Sequence, residues 1–178
     1  MRIAILGATG FIGYDFTRML LEQGEHEITV VATSASNLTN VSRHDVPVLL
    51  TGYKDLQAGG LGEQFDRIVN FAHPFKAREG LTPAQQMDIL SQALIDALKT
   101  AADTRLIHIS TMSVYEPFAP GRYFAETDAP KPPASDAYAT SKAQFDALLL
   151  KEAAITDRIM LPRPTVVYGP YCRPWTDG

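Results

Sequence analysis

Tyr138 and Lys142 stand four residues apart in the run Tyr138-Ala139-Thr140-Ser141-Lys142, inside a stretch with helical periodicity. Side chains at that spacing share one face of a helix. A free phenol ionises near pH ~10, too high for proton transfer at neutrality. An ammonium beside it favours the phenolate and brings that value down. The pair is therefore a candidate for acid/base work on a hydroxyl or carbonyl. The alternative is a packed helix tyrosine beside a solvated lysine.

A second chemical feature lies near the N-terminus. Gly7-Ala8-Thr9-Gly10-Phe11-Ile12-Gly13 follows a short apolar run and opens a helical one. Glycines there permit a tight turn, close approach of a pyrophosphate to the backbone, and close helix–strand packing. The helix start adds unpaired N–H groups and the positive end of a dipole, which suit an anion. The pattern predicts a dinucleotide site formed by Gly7, Thr9, Gly10, Phe11, Ile12 and Gly13, against the alternative of a glycine-rich turn with no ligand. An acidic residue ending the second strand would accept the ribose hydroxyls of NAD and repel a 2′-phosphate. Here the strand ends Val31-Ala32-Thr33-Ser34, with Arg43 further on. Hydroxyls at Thr33 and Ser34 with the Arg43 guanidinium favour NADP over NAD; the alternative is a plain polar loop.

These residues need elements to hold them. Arg2 to Leu6, Ile28 to Ala32, Val46 to Leu50, Arg67 to Phe71 and Leu106 to Ser110 read as strands, and Ile159 to Leu161 with Thr165 to Val167 as a sixth. Helical spacing predicts Phe11 to Gln23 with Phe16, Met19 and Leu20 on one face, stopped by Gly24. It also predicts about 83–102, with Pro83 in the first turn, and about 136–153, burying Phe145, Leu148 and Leu149. Strands rich in Ile, Val and Leu that alternate with helices imply an α/β fold, a doubly wound, mostly parallel sheet whose ligand crevice lies at the carboxyl ends of the strands. Glu116 to Ser135, crowded with proline, reads as a long functional loop.

Composition narrows the class. The chain has 178 residues, 46% of them hydrophobic, and a net charge of −4, which suits a single globular domain and argues against a nucleic-acid partner. No apolar run reaches the roughly 18 residues of a membrane span. Gly7, Gly10 and Gly13 interrupt the apolar stretch that a secretory leader would need. Cys172 is the one cysteine, so no internal disulfide forms and a cytoplasmic location is expected. The four histidines show no metal-ligand spacing, so no metal is expected, and His73 and His108 read as packed core residues.

The glycine turn, the strand-end run Ser110-Thr111-Met112-Ser113-Val114-Tyr115, the Tyr138/Lys142 pair and Arg163-Pro164-Thr165-Val166-Val167-Tyr168-Gly169-Pro170 occur in this order. Together they resemble the extended short-chain dehydrogenase/reductases, the NAD-dependent epimerase/dehydratase family with its Rossmann domain. Ile68 to His73 is similar to the family segment that passes under the cofactor, which brings in Phe71 and Ala72, and Pro164 would stand beside it. The resemblance implies Tyr138 as acid/base and Lys142 as the residue that holds the nicotinamide ribose and depresses the tyrosine pKa. Thr111 would hydrogen-bond the substrate oxygen. It further implies hydride transfer on a sugar-like alcohol or ketone, by an epimerase (isomerase) or oxidoreductase, and a homodimer through the two long helices. A carbonyl reductase using NADP and a non-catalytic dinucleotide sensor are the alternatives.

Some positions depart from the family. Met112 and Ser113 stand where its dehydratases carry Asp-Glu, Val166 where Asn often holds a nucleotide-sugar phosphate, Met87 or Asp88 where an Asn organises the site, and Tyr53 where an Asp reads adenine. Residues 1–178 are expected to form one NAD(P)-binding domain, truncated so that the substrate lobe is largely absent. Trp175 and Cys172 would lie where that lobe packs.

Overall fold

The computed structural model describes residues 1–33, 38–57, 61, 65–116 and 123–169. Six parallel strands form one sheet in the order β3-β2-β1-β4-β5-β6: β1 (Arg2–Leu6), β2 (Glu27–Ala32), β3 (Val48–Leu50), β4 (Arg67–Asn70), β5 (Arg105–His108) and β6 (Ile159–Met160). Register pairs Leu6 with both Val31 and Asn70, which aligns the carboxyl ends of β2, β1 and β4. The order runs outward in both directions from β1, so a crevice opens above that strand.

Alternation along the strands divides the core. Ile3, Ile5, Val30 and Val69 face α1 (Phe11–Gln23), packing with Leu20 and Phe16. Ala4, Leu6, Val31, Ile68 and Leu106 face the other way. There they meet Leu90, Leu94 and Leu98 of α3 (Pro83–Thr100) and Phe145 and Leu149 of α4 (Ala137–Leu149). Period-two side chains buried on both faces are what a sheet covered by helices on each side requires. Met19, expected on the inner face of α1, is 44% exposed. Leu20 is buried as expected and Phe16 packs against the same cluster, while Thr17 and Gly13 complete the buried face.

Helix ends follow local chemistry. Gly24 adopts φ 68° and its N–H closes on Leu20 O at 3.3 Å, ending α1. At α3, Thr82 caps the Gln85 N–H, the Gln85 side chain accepts from the Thr82 N–H, and Pro83 sits at the first helical position. Thr82→Ala is expected to cost about 1 kcal/mol, lowering the melting temperature by roughly 2–4 °C. An unchanged thermal melt would show that the cap contributes nothing.

The helix expected over about 136–153 ends at Leu149, where the Leu150 N–H closes on Asp146 O. A short helix α2 (Tyr53–Gln57) appears between β3 and β4; five residues carry too little periodicity to be read. The sixth strand stops at Met160. Pro162 and Pro164 lack N–H donors, so only their carbonyls pair, accepting from Ser110 N at 2.9 Å and Met112 N at 3.0 Å. The chain beyond β6 thus runs beside the end of β5 without becoming regular strand. Among the described residues no helix is long and apolar enough to cross a membrane.

Candidate active site

Above β1 the chain turns through Gly7 at φ 77°, and Gly10 N donates to Gly7 O at 3.0 Å. A Cβ on Gly7 would lie 2.5 Å from Ala72 N, so the turn is pressed onto the end of β4. A Cβ on Gly13 would overlap the Gly7 carbonyl. Gly10 differs: a Cβ there would meet Gly7 O at 3.4 Å and otherwise open space. Two glycines therefore serve packing, and the third leaves a cradle at the start of α1.

Two cavities adjoin over this turn, sharing Gly7, Thr9, Gly10, Phe71, His73 and Phe75. The first, about 610 Å³, extends toward the ends of β2 and β4 and is lined by Thr33, Tyr53, Ala72 and Arg78 among others. The second, about 1110 Å³, extends toward β5 and is lined by Phe11, Ile12, Gly13, Thr111, Tyr138, Lys142 and Pro164. Of the residues singled out in the sequence, Ser34 lies outside the described residues. Arg43 is exposed and lines neither cavity. The others line one cavity or both.

The second cavity brings together the three side chains expected to be catalytic, from two elements. Thr111 follows β5, caps the short 3₁₀ turn Met112–Val114 and accepts from Ser113 N at 3.2 Å. Tyr138 lies in the first turn of α4, where Asp136 caps the Ala139 N–H at 2.9 Å, and is 42% exposed. Lys142, one turn on, is only 5% exposed and donates to Ile109 O at 2.8 Å. Burial pulls its ammonium down to about 8, with the Asp146 carboxylate working in the other direction. The phenol departs from expectation. Burial raises Tyr138 above its ordinary value, a hydrogen bond with Thr111 opposes this, and Asp136 adds to the rise. The Lys142 ammonium is directed to Ile109 O, and in this arrangement Thr111 rather than Lys142 eases the ionisation of the phenol.

Beneath the cavity floor lies a polar cluster that sequence reasoning missed. Asp146, one turn beyond Lys142, is buried and accepts from Ser110 Oγ at 2.7 Å and from the Arg163 guanidinium at 3.4 Å. Arg163 also donates to the Tyr115 hydroxyl. The cluster ties α4, the end of β5 and the segment after β6 into one wall. The spacing of Lys142 and Asp146 on one helix face was the available signal.

His108 is fully buried; its Nδ1 accepts from Asn70 Nδ2 at 2.8 Å, while Asn70 Oδ1 accepts from Ala72 N at 2.9 Å. Burial, with Lys142 and His73 next, pushes this imidazole down to about 3. His73 bonds Ser141 Oγ through Nε2 at 3.0 Å, and burial and then Lys142 push it down to about 4. The unfolded chain takes up these protons near pH ~6.5 and the native chain only below the depressed values. Between those limits the unfolded state binds more protons, so stability falls as the pH falls. For His108 the span corresponds to roughly 5 kcal/mol, offset in part by Asp146, whose carboxyl burial pushes up. Urea midpoints should drop between pH 6.5 and 4, and His108→Gln should flatten that slope. Equal slopes in both proteins would refute this assignment.

Among the described residues no three His, Cys, Asp or Glu side chains cluster as metal ligands. The model of the NAD dependent epimerase/dehydratase family matches residues 3–177. The chain belongs to this family. The low-salt glycan biosynthesis protein Agl12 of Haloferax volcanii is 31% identical over 162 residues, covering 84% of this chain and 51% of that protein. Two solved structures share the fold at lower identity. One is the dTDP-glucose 4,6-dehydratase of Bacillus anthracis in complex with NAD, at 23% identity and TM-score 0.76, covering 96% of this chain and 56% of that one. The other is the UDP-glucuronic acid 4-epimerase of Bacillus cereus in complex with UDP-glucuronic acid and NAD, at 22% identity and TM-score 0.74, with coverage of 99% and 60%. The chain thus spans little more than half the length of these relatives.

Proposed function

We propose that the chain binds a nicotinamide dinucleotide along the two adjoining cavities and takes part in hydride transfer on a sugar-like alcohol or ketone, as an epimerase or oxidoreductase. One observation carries this reading: the open cradle at Gly10 and the Thr111, Tyr138 and Lys142 side chains line the same cavity. The amides of Phe11 to Gly13, at the positive end of α1, suit the pyrophosphate. The solved relatives are described with NAD, and one with UDP-glucuronic acid, which supports a nucleotide sugar as the substrate class.

A bound nicotinamide supplies the hydride acceptor or donor. Tyr138, which lines the cavity, takes the proton of the substrate hydroxyl, or returns it to the carbonyl, through its phenolic oxygen. Thr111 hydrogen-bonds the same oxygen and keeps the phenol oriented. Lys142, oriented by its bond to Ile109 O, would hold the ribose hydroxyls. Met112 and Ser113 carry no carboxyl for elimination, so the reading favours epimerisation or reduction over dehydration. Thr33, at the end of β2, has no carboxylate to repel a 2′-phosphate, which favours NADP and, with it, carbonyl reduction as a second reading.

The test is a calorimetric titration with NADH and NADPH, followed by incubation of the protein with dinucleotide and a panel of UDP- and dTDP-sugars. Expected are saturable binding of a dinucleotide and a change in the nicotinamide absorbance or a new sugar epimer. Failure to bind either dinucleotide would overturn the reading.

A further inference from the structure

We propose that the first cavity recognises a ribose 2′-phosphate through Arg78, with Lys76 beside it, so that the chain selects NADP(H) over NAD(H) by cations that follow β4. This rests on the dinucleotide reading above and assigns the selecting residues. Among the described residues, the lining of this cavity includes two cations, Lys76 and Arg78, and no Asp or Glu. Thr33 and Tyr53 mark where the end of β2 meets it, the place of the adenosine ribose when a pyrophosphate sits on the glycine turn. Burial pushes the Tyr53 phenol up; a hydrogen bond with Thr33 and the charge of Arg78 work the other way, and the Glu79 carboxylate adds to the rise. Arg78 and Thr33 thus line one cavity, although 45 positions separate them in the sequence.

The segment that carries both cations is held in place. Arg78 N donates to Leu81 O at 3.1 Å and Leu81 N to Arg78 O at 2.8 Å, closing a turn through Glu79 and Gly80, both at positive φ. The fully buried Gln86 donates from Nε2 to Lys76 O and Leu81 O, both at 2.9 Å. The Glu79 carboxylate is turned aside, accepting from Tyr53 N at 3.1 Å, and does not line the cavity. Among the described residues neither the Arg78 nor the Lys76 side chain has a hydrogen bond or ion pair. A planar guanidinium free to take two phosphate oxygens is suited to such a group. Solvated surface cations are the competing explanation, and these would not distinguish one dinucleotide from the other.

Calorimetric titrations of the wild-type chain and of Arg78→Ala and Lys76→Ala with NADPH and with NADH decide between them. The wild type should bind NADPH at least ten-fold tighter than NADH. Arg78→Ala should weaken NADPH ten-fold or more and leave NADH within two-fold, with unchanged thermal melting; Lys76→Ala should show a smaller effect of the same kind. Equal wild-type affinities, tighter NADH, or an Arg78→Ala loss shared by both ligands would overturn the assignment while leaving the dinucleotide reading intact. Binding of neither ligand by the wild type would overturn both.

Discussion

Gly13→Ala is expected to unfold or severely destabilise the chain, whereas Gly10→Ala should fold normally and lose its dinucleotide. The two glycines sit three residues apart in one turn, yet their surroundings differ. At Gly13 a methyl group would overlap the Gly7 carbonyl, a backbone atom that cannot rotate away. The remedy is to lift α1 off the turn, which disturbs the packing of Leu20 and Phe16 on Ile3 and Ile5. Overpacking of this kind costs roughly 1–3 kcal/mol and sometimes more. At Gly10 the nearest atom would be 3.4 Å away, so the fold tolerates the methyl group. The same methyl group occupies the cradle over which a pyrophosphate would approach the α1 amides, and binding should weaken ten-fold or more. Melting temperatures and dinucleotide titrations of both variants measure this contrast. A Gly10→Ala protein with wild-type affinity would remove the cradle from the site.

Tyr138→Phe is expected to lower kcat about 10²–10⁴-fold, the usual worth of a positioned acid/base, with dinucleotide affinity within two-fold of wild type. The ring remains, so its edge-on packing against His73, with centroids 6.1 Å apart, and its stacking with Phe75 at 6.0 Å persist and the cavity keeps its shape. What disappears is the oxygen that bonds with Thr111 and reaches the substrate. Because burial raises this phenol and Thr111 lowers it, Thr111→Val should reduce turnover as well and move the alkaline limb of the pH–rate profile upward. Turnover unaffected by Tyr138→Phe would remove the acid/base role from this phenol.

Much of the fold could be read along the chain because its signals are local. The residues of β1 and α1 coincide with the expected ranges, since an apolar pentapeptide, a glycine turn and an αL-forming Gly24 each act within a few positions. The start of α3 at Pro83 was equally legible, as its cap, proline and Gln85 lie within four positions. The extents of β6 and of α2 were less so. Whether Thr165 to Val167 joins a sheet depends on which backbone groups the neighbouring strand offers, and Pro162 and Pro164 leave only carbonyls to answer it.

Residue order alone specifies the parallel α/β succession, the glycine turn, and the placement of Tyr138 and Lys142 on one helix face. Periodicity, caps and i,i+4 spacing need no knowledge of distant residues. Which charges surround those groups is settled by long-range packing. The order of the sheet sets β2 and β4 on either side of β1, so the segments that follow them meet over the glycine turn. That arrangement sets Arg78, Thr33 and Tyr53 on the lining of one cavity and leaves Arg43 outside both. It also buries Lys142 against Ile109 O, where desolvation outweighs the nearby carboxylate and Thr111 becomes the partner of the phenol. Proximity across many positions and loss of solvent are properties of the folded chain, and both set the electrostatics on which the chemistry of this site depends.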